Sequence, residues 1–444
     1  MLRKIGIGII SSFIILTVVA EAKAEVKFKW GPYLRARYEY WKNWRDMDNT
    51  QLDNRSFFRI KTSLWGQADL DEKYSFYCKL TNETKAYTYF APSSSKPSGK
   101  TEKGLRYDIN EVVFDNIYFD FKKVLDAPVN IRLGRQDLFG YGENFLLADG
   151  TPNDGSRTYY FNAMKTSWSI NERNTFDFIY IRNPKDDTYL PIINEDKSPQ
   201  NLNTTDEEGY VGYLRNRSIQ NLALDGYYIY KREDADGGVG YQSQKGIINT
   251  IGSFARYDFP TWAIKGQAAY QFGDYGANSR EALGGYGYVE KNFKDMRWTP
   301  TAKAGFIYLS GNKAGTDKNE AWDPLFSRYP WFSELYSLSM AAETGIVDYW
   351  TNISAYCAEF AVKPTEKTKL SLNYYFLRAN EQVAANTIFS GRGKTRGHLP
   401  EVRVDYALTK SISMYVLAEY LIPGNFYKND DPGLFVRTEF QIKF

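Results

Sequence analysis

Basic side chains recur at every second position, or at multiples of two, in several short runs of this chain. Arg35 and Arg37 do so in one run, and Arg55, Arg59 and Lys61 in the next. Arg132, Arg403 and Arg437 hold the same polar parity in three others. A guanidinium presents a planar fork that binds a carboxylate through two parallel hydrogen bonds and stays charged at any relevant pH. Side chains of this type bind and steer anions; they do not shuttle protons. Glu39, Asp405 and Glu439 share the polar side with them, as does Asp177 in its own run, and temper the charge. The structural use of the same residues is ion pairing that holds neighbouring segments in register.

Groups suited to catalysis are few. His398, at Arg396-Gly397-His398-Leu399, is the single histidine, and nothing marks a partner serine or acid for it. Zinc sites built from histidine and cysteine are thereby excluded, and no cofactor is expected. Carboxylate pairs of the glycosidase kind stay open, because their separations are not legible in a sequence. Asp234-Ala235-Asp236-Gly237 lacks the closing glutamate of a calcium loop. Cys78 and Cys357 lie in strand-like runs, where packing is the expected role. No enzyme is expected from this inventory.

The elements that must position the arginines are strands. Leu434, Val436, Thr438, Phe440, Ile442 and Phe444 alternate with Phe435, Arg437, Glu439, Gln441 and Lys443, one face apolar and the other wet. Phe28, Trp30, Leu34, Ala36, Tyr38 and Tyr40 alternate in the same way with Lys27, Lys29, Tyr33, Arg35, Arg37 and Glu39. Runs of this kind predict strands at 27–41, 54–69, 73–87, 108–121, 129–137, 157–170, 174–183, 208–216 and 221–231. The second half predicts 246–257, 262–273, 284–294, 301–310, 350–363, 368–378, 399–408, 411–421 and 433–444. Tight turns such as Leu70-Asp71-Glu72 and Thr409-Lys410 alternate with long polar links, including 88–107, 184–207, 311–349 and 379–398. A transmembrane barrel has this alternation of short inner turns and long outer loops.

Composition agrees with that fold class, an all-β antiparallel barrel of about 18 strands. The chain holds 36 Tyr, 28 Phe and 10 Trp, yet its mean hydropathy is −0.52. So aromatic and so hydrophilic a chain suits an apolar exterior with aromatic girdles around a polar interior. Residues 1–24 read as a signal peptide: Arg3 and Lys4, an apolar stretch, then Ala22-Lys23-Ala24 before the expected cut. Residues 25–444 then form one barrel domain. Removing Arg3, Lys4, Lys23 and Glu21 leaves a net charge of +1 from the +3 of the whole chain. Nucleic acid is accordingly not an expected partner, since there is no basic run.

Leu133-Gly134-Arg135-Gln136, with Gly140, Tyr141 and Gly142 beyond it, resembles the alginate-export family of outer-membrane barrels. Asp154-Gly155-Ser156-Arg157-Thr158 and Trp322-Asp323-Pro324-Leu325-Phe326 are similar to further segments of that family. The resemblance implies an 18-strand pore whose lumen is lined with arginines that attract a uronate polymer. On that basis Arg157 joins Arg35, Arg37, Arg55, Arg59, Lys61, Arg132, Arg403 and Arg437 on the lumen. Arg135 would join them too, although parity points it outward unless a bulge or the strand end intervenes. The last strand, ending at Phe444, is similar to the terminal strands that the barrel-assembly machinery recognises. The exporter's long turn before its last two strands is replaced here by Thr409-Lys410. The pore is then either ungated from below or gated by another element, such as the loop at 138–156, folding inward.

Three readings follow. The first is an outer-membrane channel for anionic saccharides or small anions. The second is a general porin without selectivity. The third is a scaffold in outer-membrane lipid whose loops bind a partner. The acidic loop runs, Asp186-Asp187 and Asp430-Asp431 among them, are expected to be solvated, with divalent bridging to lipopolysaccharide as the alternative.

Overall fold

Runs that place an apolar side chain at every second position become strands, because only a pleated chain turns alternate residues to opposite faces. The computed structural model describes residues 26–50, 53–90, 106–148, 161–194, 198–235 and 240–444. Nine strands come from the first half: β1 (Lys27–Lys42), β2 (Arg55–Asp69), β3 (Tyr74–Phe90), β4 (Arg106–Phe121), β5 (Val129–Gln136), β6 (Phe161–Asn171), β7 (Asn174–Asn183), β8 (Glu207–Asn216) and β9 (Leu222–Glu233). The second half supplies β10 (Gly246–Asp258), β11 (Trp262–Tyr275), β12 (Asn278–Asn292), β13 (Thr301–Leu309), β14 (Ile353–Thr365), β15 (Thr368–Arg378), β16 (Thr395–Ala407), β17 (Ile412–Pro423) and β18 (Gly433–Lys443). Each strand pairs antiparallel with its neighbours in sequence. β1 pairs with β18 from Tyr33↔Lys443 to Lys42↔Leu434 and closes the barrel.

The two faces differ as the alternation requires. Phe58, Ile60, Leu64, Ile251, Phe306, Tyr356 and Val416 are exposed on the outside. Arg35, Glu39, Glu83, Lys231 and Gln271 are buried on the inside. Closure gives each of the eighteen strands two paired neighbours, which is what a sheet in hydrocarbon needs. The folded protein is therefore expected to resist detergent until boiled, giving two bands of different mobility in unboiled and boiled samples. Identical migration of the two samples would contradict the closed ladder.

The strands expected at 262–273 and 284–294 run on towards each other, and β11 and β12 meet at Gly276 and Ala277, with φ of 60° at Gly276. The polar Asn278-Ser279-Arg280-Glu281 run belongs to a strand because its inner side has polar partners inside the barrel. Arg280 donates to the Ala321 carbonyl at 3.0 Å, and Ser279 and Arg280 pair with Lys318 and Asn319. β6 is described from Phe161 onward, so the expected start at 157 falls outside the described residues.

Two outer links fold into the barrel and build its core. Leu138, Tyr141, Phe145, Leu146 and Leu147 come from the link after β5. Trp322, Leu325, Phe326, Leu335, Tyr336, Met340 and Trp350 come from the link between β13 and β14. That second link contains the helix α1 (Glu334–Thr344), capped by Ser333, whose side chain accepts from the Tyr336 amide, and ended by Gly345 at φ 78°. The two links meet where Phe326 and Ser327 pair with Leu147 and Ala148. Inward folding of 138–148 matches one of the two alternatives left open for gating; residues 149–156 lie outside the described residues.

Candidate functional site: a strap across an ion-paired lumen

The inner wall formed by β18, β1, β2 and β3 carries an ion-pair lattice at mid-height. Arg35 meets Glu83 at 2.7 Å, and Arg59 bridges Glu83 at 3.0 Å and Glu39 at 3.4 Å. Arg437 meets Glu39 at 2.7 Å across the seam where β18 joins β1, and Arg37 pairs with Glu439 across the same seam. Lys61 is buried beside Arg35 in register, Lys85 stands beside Arg59, and Lys79 meets Asp115 at 2.6 Å. Parity in β3 signals Glu83 and Lys85; the readings of the first two strands stopped short of them.

The remaining sequence candidates lie elsewhere. Arg55 sits higher, over Trp41 at 5.0 Å and Trp44 at 4.5 Å. Arg132 and Arg403 lie toward the short-turn end, where Arg132 takes Asp120 at 2.7 and 2.9 Å and Arg403 takes Asp405 at 2.9 and 2.7 Å. Neither takes part in the lattice, although Arg403 stands two strands from Arg437 in register, through Leu417. Arg135 does not face the lipid as parity suggested: it is 2% exposed. Gly134 before it has φ of 129°, the strand ends at Gln136, and Arg135 reaches Asp187 at 2.5 Å and the Phe114 carbonyl at 3.1 Å. It ties the link after β7 to the upper wall and is placed apart from the lattice. Arg157 and the motif around it lie outside the described residues.

The feature not legible in sequence is a strap, residues 328–334, between the two buried parts of the long link. At one end Arg328 pairs with Glu207 on β8 and donates to Asn203 at 2.5 Å. At the other end the Ser333 hydroxyl and the amides of Glu334 and Leu335 donate to Glu419 on β17 at 2.6, 3.0 and 2.9 Å. Glu334 also pairs with Arg437, at 3.0 Å through Nη2. β8 and β17 are nine places apart among eighteen strands, hence on opposite sides of the barrel. About six extended residues reach about 20 Å; with arginine and glutamate side chains at the ends, they bridge the lumen.

The part of the link before the strap is anchored in the wall. Lys231 binds Glu207 at 2.9 Å, Glu233 at 2.5 Å and the Leu325 carbonyl at 2.8 Å. Gln271 exchanges two hydrogen bonds with the Asp323 backbone, at 2.7 and 2.9 Å. Burial alone would raise the Asp323 carboxyl, but Lys231 and Arg280 overcome it and hold the group below its ordinary range. Burial pushes the Asp348 carboxyl, which accepts from Ser337 of α1, up to about 7, so this link carries a group that changes charge near neutral pH.

Glycines let the link dock this closely. A Cβ built on Gly284 of β12 would lie 2.6 Å from the Trp322 ring, and one on Gly209 of β8 would lie 2.5 Å from Phe326. Gly284→Leu should therefore unseat Trp322, with faster proteolysis within 311–352 and an intact barrel. Wild-type cleavage kinetics in that variant would show that the link does not depend on this seat.

A closed eighteen-strand barrel with an apolar exterior and a charged interior crossed by inward-folded loops is an outer-membrane porin, the class to which fold and site point together. The alginate export family matches residues 26–434. The chain belongs to that family. The crystal structure of Acinetobacter baumannii OccAB1 is similar in fold, with a TM-score of 0.59 at 10% identity, covering 96% of this chain and 98% of that one. Pseudomonas aeruginosa OccK2 (OpdF) is similar at a TM-score of 0.57 and 8% identity, covering 94% and 98%. Its structure in complex with glucuronate gives a TM-score of 0.55 at 8% identity and the same coverage. At such identities the likeness concerns the fold. No curated protein sequence matches the chain.

Proposed function

We propose that this porin passes anionic solutes, acidic saccharides of the uronate type among them, between the strap and the wall of β18, β1, β2 and β3. The observation that carries the reading is the charge of that wall. At mid-height Arg35, Arg37, Arg59, Lys61, Lys79, Lys85 and Arg437 stand against Glu39, Glu83, Asp115, Glu334 and Glu439. Two cations are thus in excess on a low-dielectric wall, where field lines focus. Similarity to a barrel crystallised with glucuronate, an anionic sugar, supports the same solute class. Export of an acidic polymer would need the strap to move, because both would occupy one cross-section. Cleavage after Ala24, recognition of the strand ending at Phe444 by the assembly machinery and contact with lipopolysaccharide belong to the same reading.

The test is a reversal potential in a salt gradient. The wild type should prefer anions, and Lys61→Gln combined with Lys85→Gln, which balances the wall, should remove most of that preference. The effect should fade as salt rises, since screening acts within about 8 Å at physiological ionic strength. An unchanged reversal potential at low salt would favour the second reading, a general porin, for which the extensive pairing of the arginines already speaks.

A further inference from the structure

On the far side of the strap from the basic wall, a cavity of about 300 Å³ opens between the strap and β12 to β17. One transverse row crosses its floor: Lys303, Glu359, Asn373, Glu401 and Glu419 are successive register partners on β13 to β17. Trp331 and Phe332 of the strap, with Tyr288 and Tyr375, supply its aromatic walls.

The charges of this cavity are answered one by one, with one exception. Lys303 meets Glu359 at 2.7 Å, and Arg403 is held by Asp405. Glu334 is taken by Arg437, and Glu419 by the start of α1. Glu401 receives only the Asn373 amide, at 3.1 Å on Oε2. Its Oε1 has no hydrogen-bond partner among the described residues, although the residue is 5% exposed. A carboxylate buried without a counter-charge, in register beside Glu419, is costly; it is relieved by a proton or by a ligand that brings a cation. A metal ion is a poor match: among the described residues no three acidic, histidine or cysteine side chains are placed to share one. A carboxylate beside an amide and several aromatic faces suits an organic ammonium group, whose charge the ring faces also attract.

We propose that this cavity binds a small solute bearing a protonated amine, such as a hexosamine, with Glu401 as counter-ion and Asn373 as a polar neighbour. The barrel would then hold two subsites of opposite preference, separated by the strap. The experiment is calorimetric titration of the folded protein in detergent at low salt. The probes are glucosamine, N-acetylglucosamine and glucuronate.

Glucosamine should bind, and N-acetylglucosamine, with the same ring and no charge, should bind at least about tenfold more weakly. Glu401→Gln should weaken glucosamine to a similar degree and leave glucuronate binding as it was. Trp331→Leu, which leaves every charge in place, should weaken glucosamine severalfold. Folding of each variant is checked by its unboiled band. Absence of glucosamine binding by the folded wild type would overturn the proposal, as would unchanged binding by Glu401→Gln. Equal loss of glucosamine and glucuronate in that variant would overturn it too, since an amine subsite requires the two to separate. Glucuronate reports on the basic wall independently, so failure of either subsite is distinguishable from failure of the other.

Discussion

Replacing the link between β13 and β14 by a short hairpin should raise single-channel conductance about threefold or more, because an unplugged barrel of this size leaves an aqueous channel. The geometry permits the deletion: Leu309 and Ile353 are register partners, so two to five residues suffice to join the strands. The barrel should survive the loss of the strap and α1, since the ladder of β1 to β18 closes without them. What disappears is the bridge from Glu207 on β8 to Glu419 on β17, with Trp322, Phe326 and Tyr336 that fill the lumen around it. The link at 138–148 loses its pairing with Phe326 and Ser327 and should loosen as well, adding to the effect. Planar-bilayer recordings of a heat-modifiable deletion variant decide the matter. Conductance equal to that of the wild type would mean that ions bypass the strap.

Arg437→Met should be the most damaging single change in the lumen. Arg437 is 1% exposed and joins three parts of the molecule: β18, Glu39 on β1 across the closing seam, and Glu334 at the end of the strap. Removing it leaves Glu334 without its arginine and Glu39 with only Arg59, at 3.4 Å, and breaking buried pairs this way costs about 3–5 kcal/mol. Arg403→Met is the control. It leaves Asp405 without its arginine, but both side chains are more than a third exposed, and the expected loss is about 0–1 kcal/mol. The readout is the urea concentration or temperature at which the folded band converts to the unfolded one. Adding Glu334→Gln to Arg437→Met should recover part of the loss, because the stranded charge is gone. Equal stability of the Arg437 and Arg403 variants would show that the seam lattice contributes nothing beyond a surface pair.

The wall of this protein was readable from its amino acids. Alternation in Leu434–Phe444, in Phe28–Tyr40 and in the runs between them marks two unlike environments, and period two admits only a strand. Eighteen such runs, with short and long links in turn, imply a closed barrel, and parity alone turned Arg35, Arg37, Arg59, Lys61 and Arg437 inward. It could not show that Arg135, still in unbroken register with Ile117 and Asn162, is buried beneath the link after β7 through Asp187. It also started β12 late, because a polar strand inside a barrel looks like a loop. Parity says which face a residue takes; it is silent about height and about partners. Hence the pairing of Arg35 with Glu83 and of Arg437 with Glu39 emerged only when the shear of the barrel set which residues stand level. The strap was the least legible part. Ser333 and Gly345 bound α1 in the structure, but the link, read only as long and polar, has no periodicity that says where it goes. Only the closed wall decides that, by offering Gly209 and Gly284 as seats and Glu207 and Glu419 as anchors on its opposite sides.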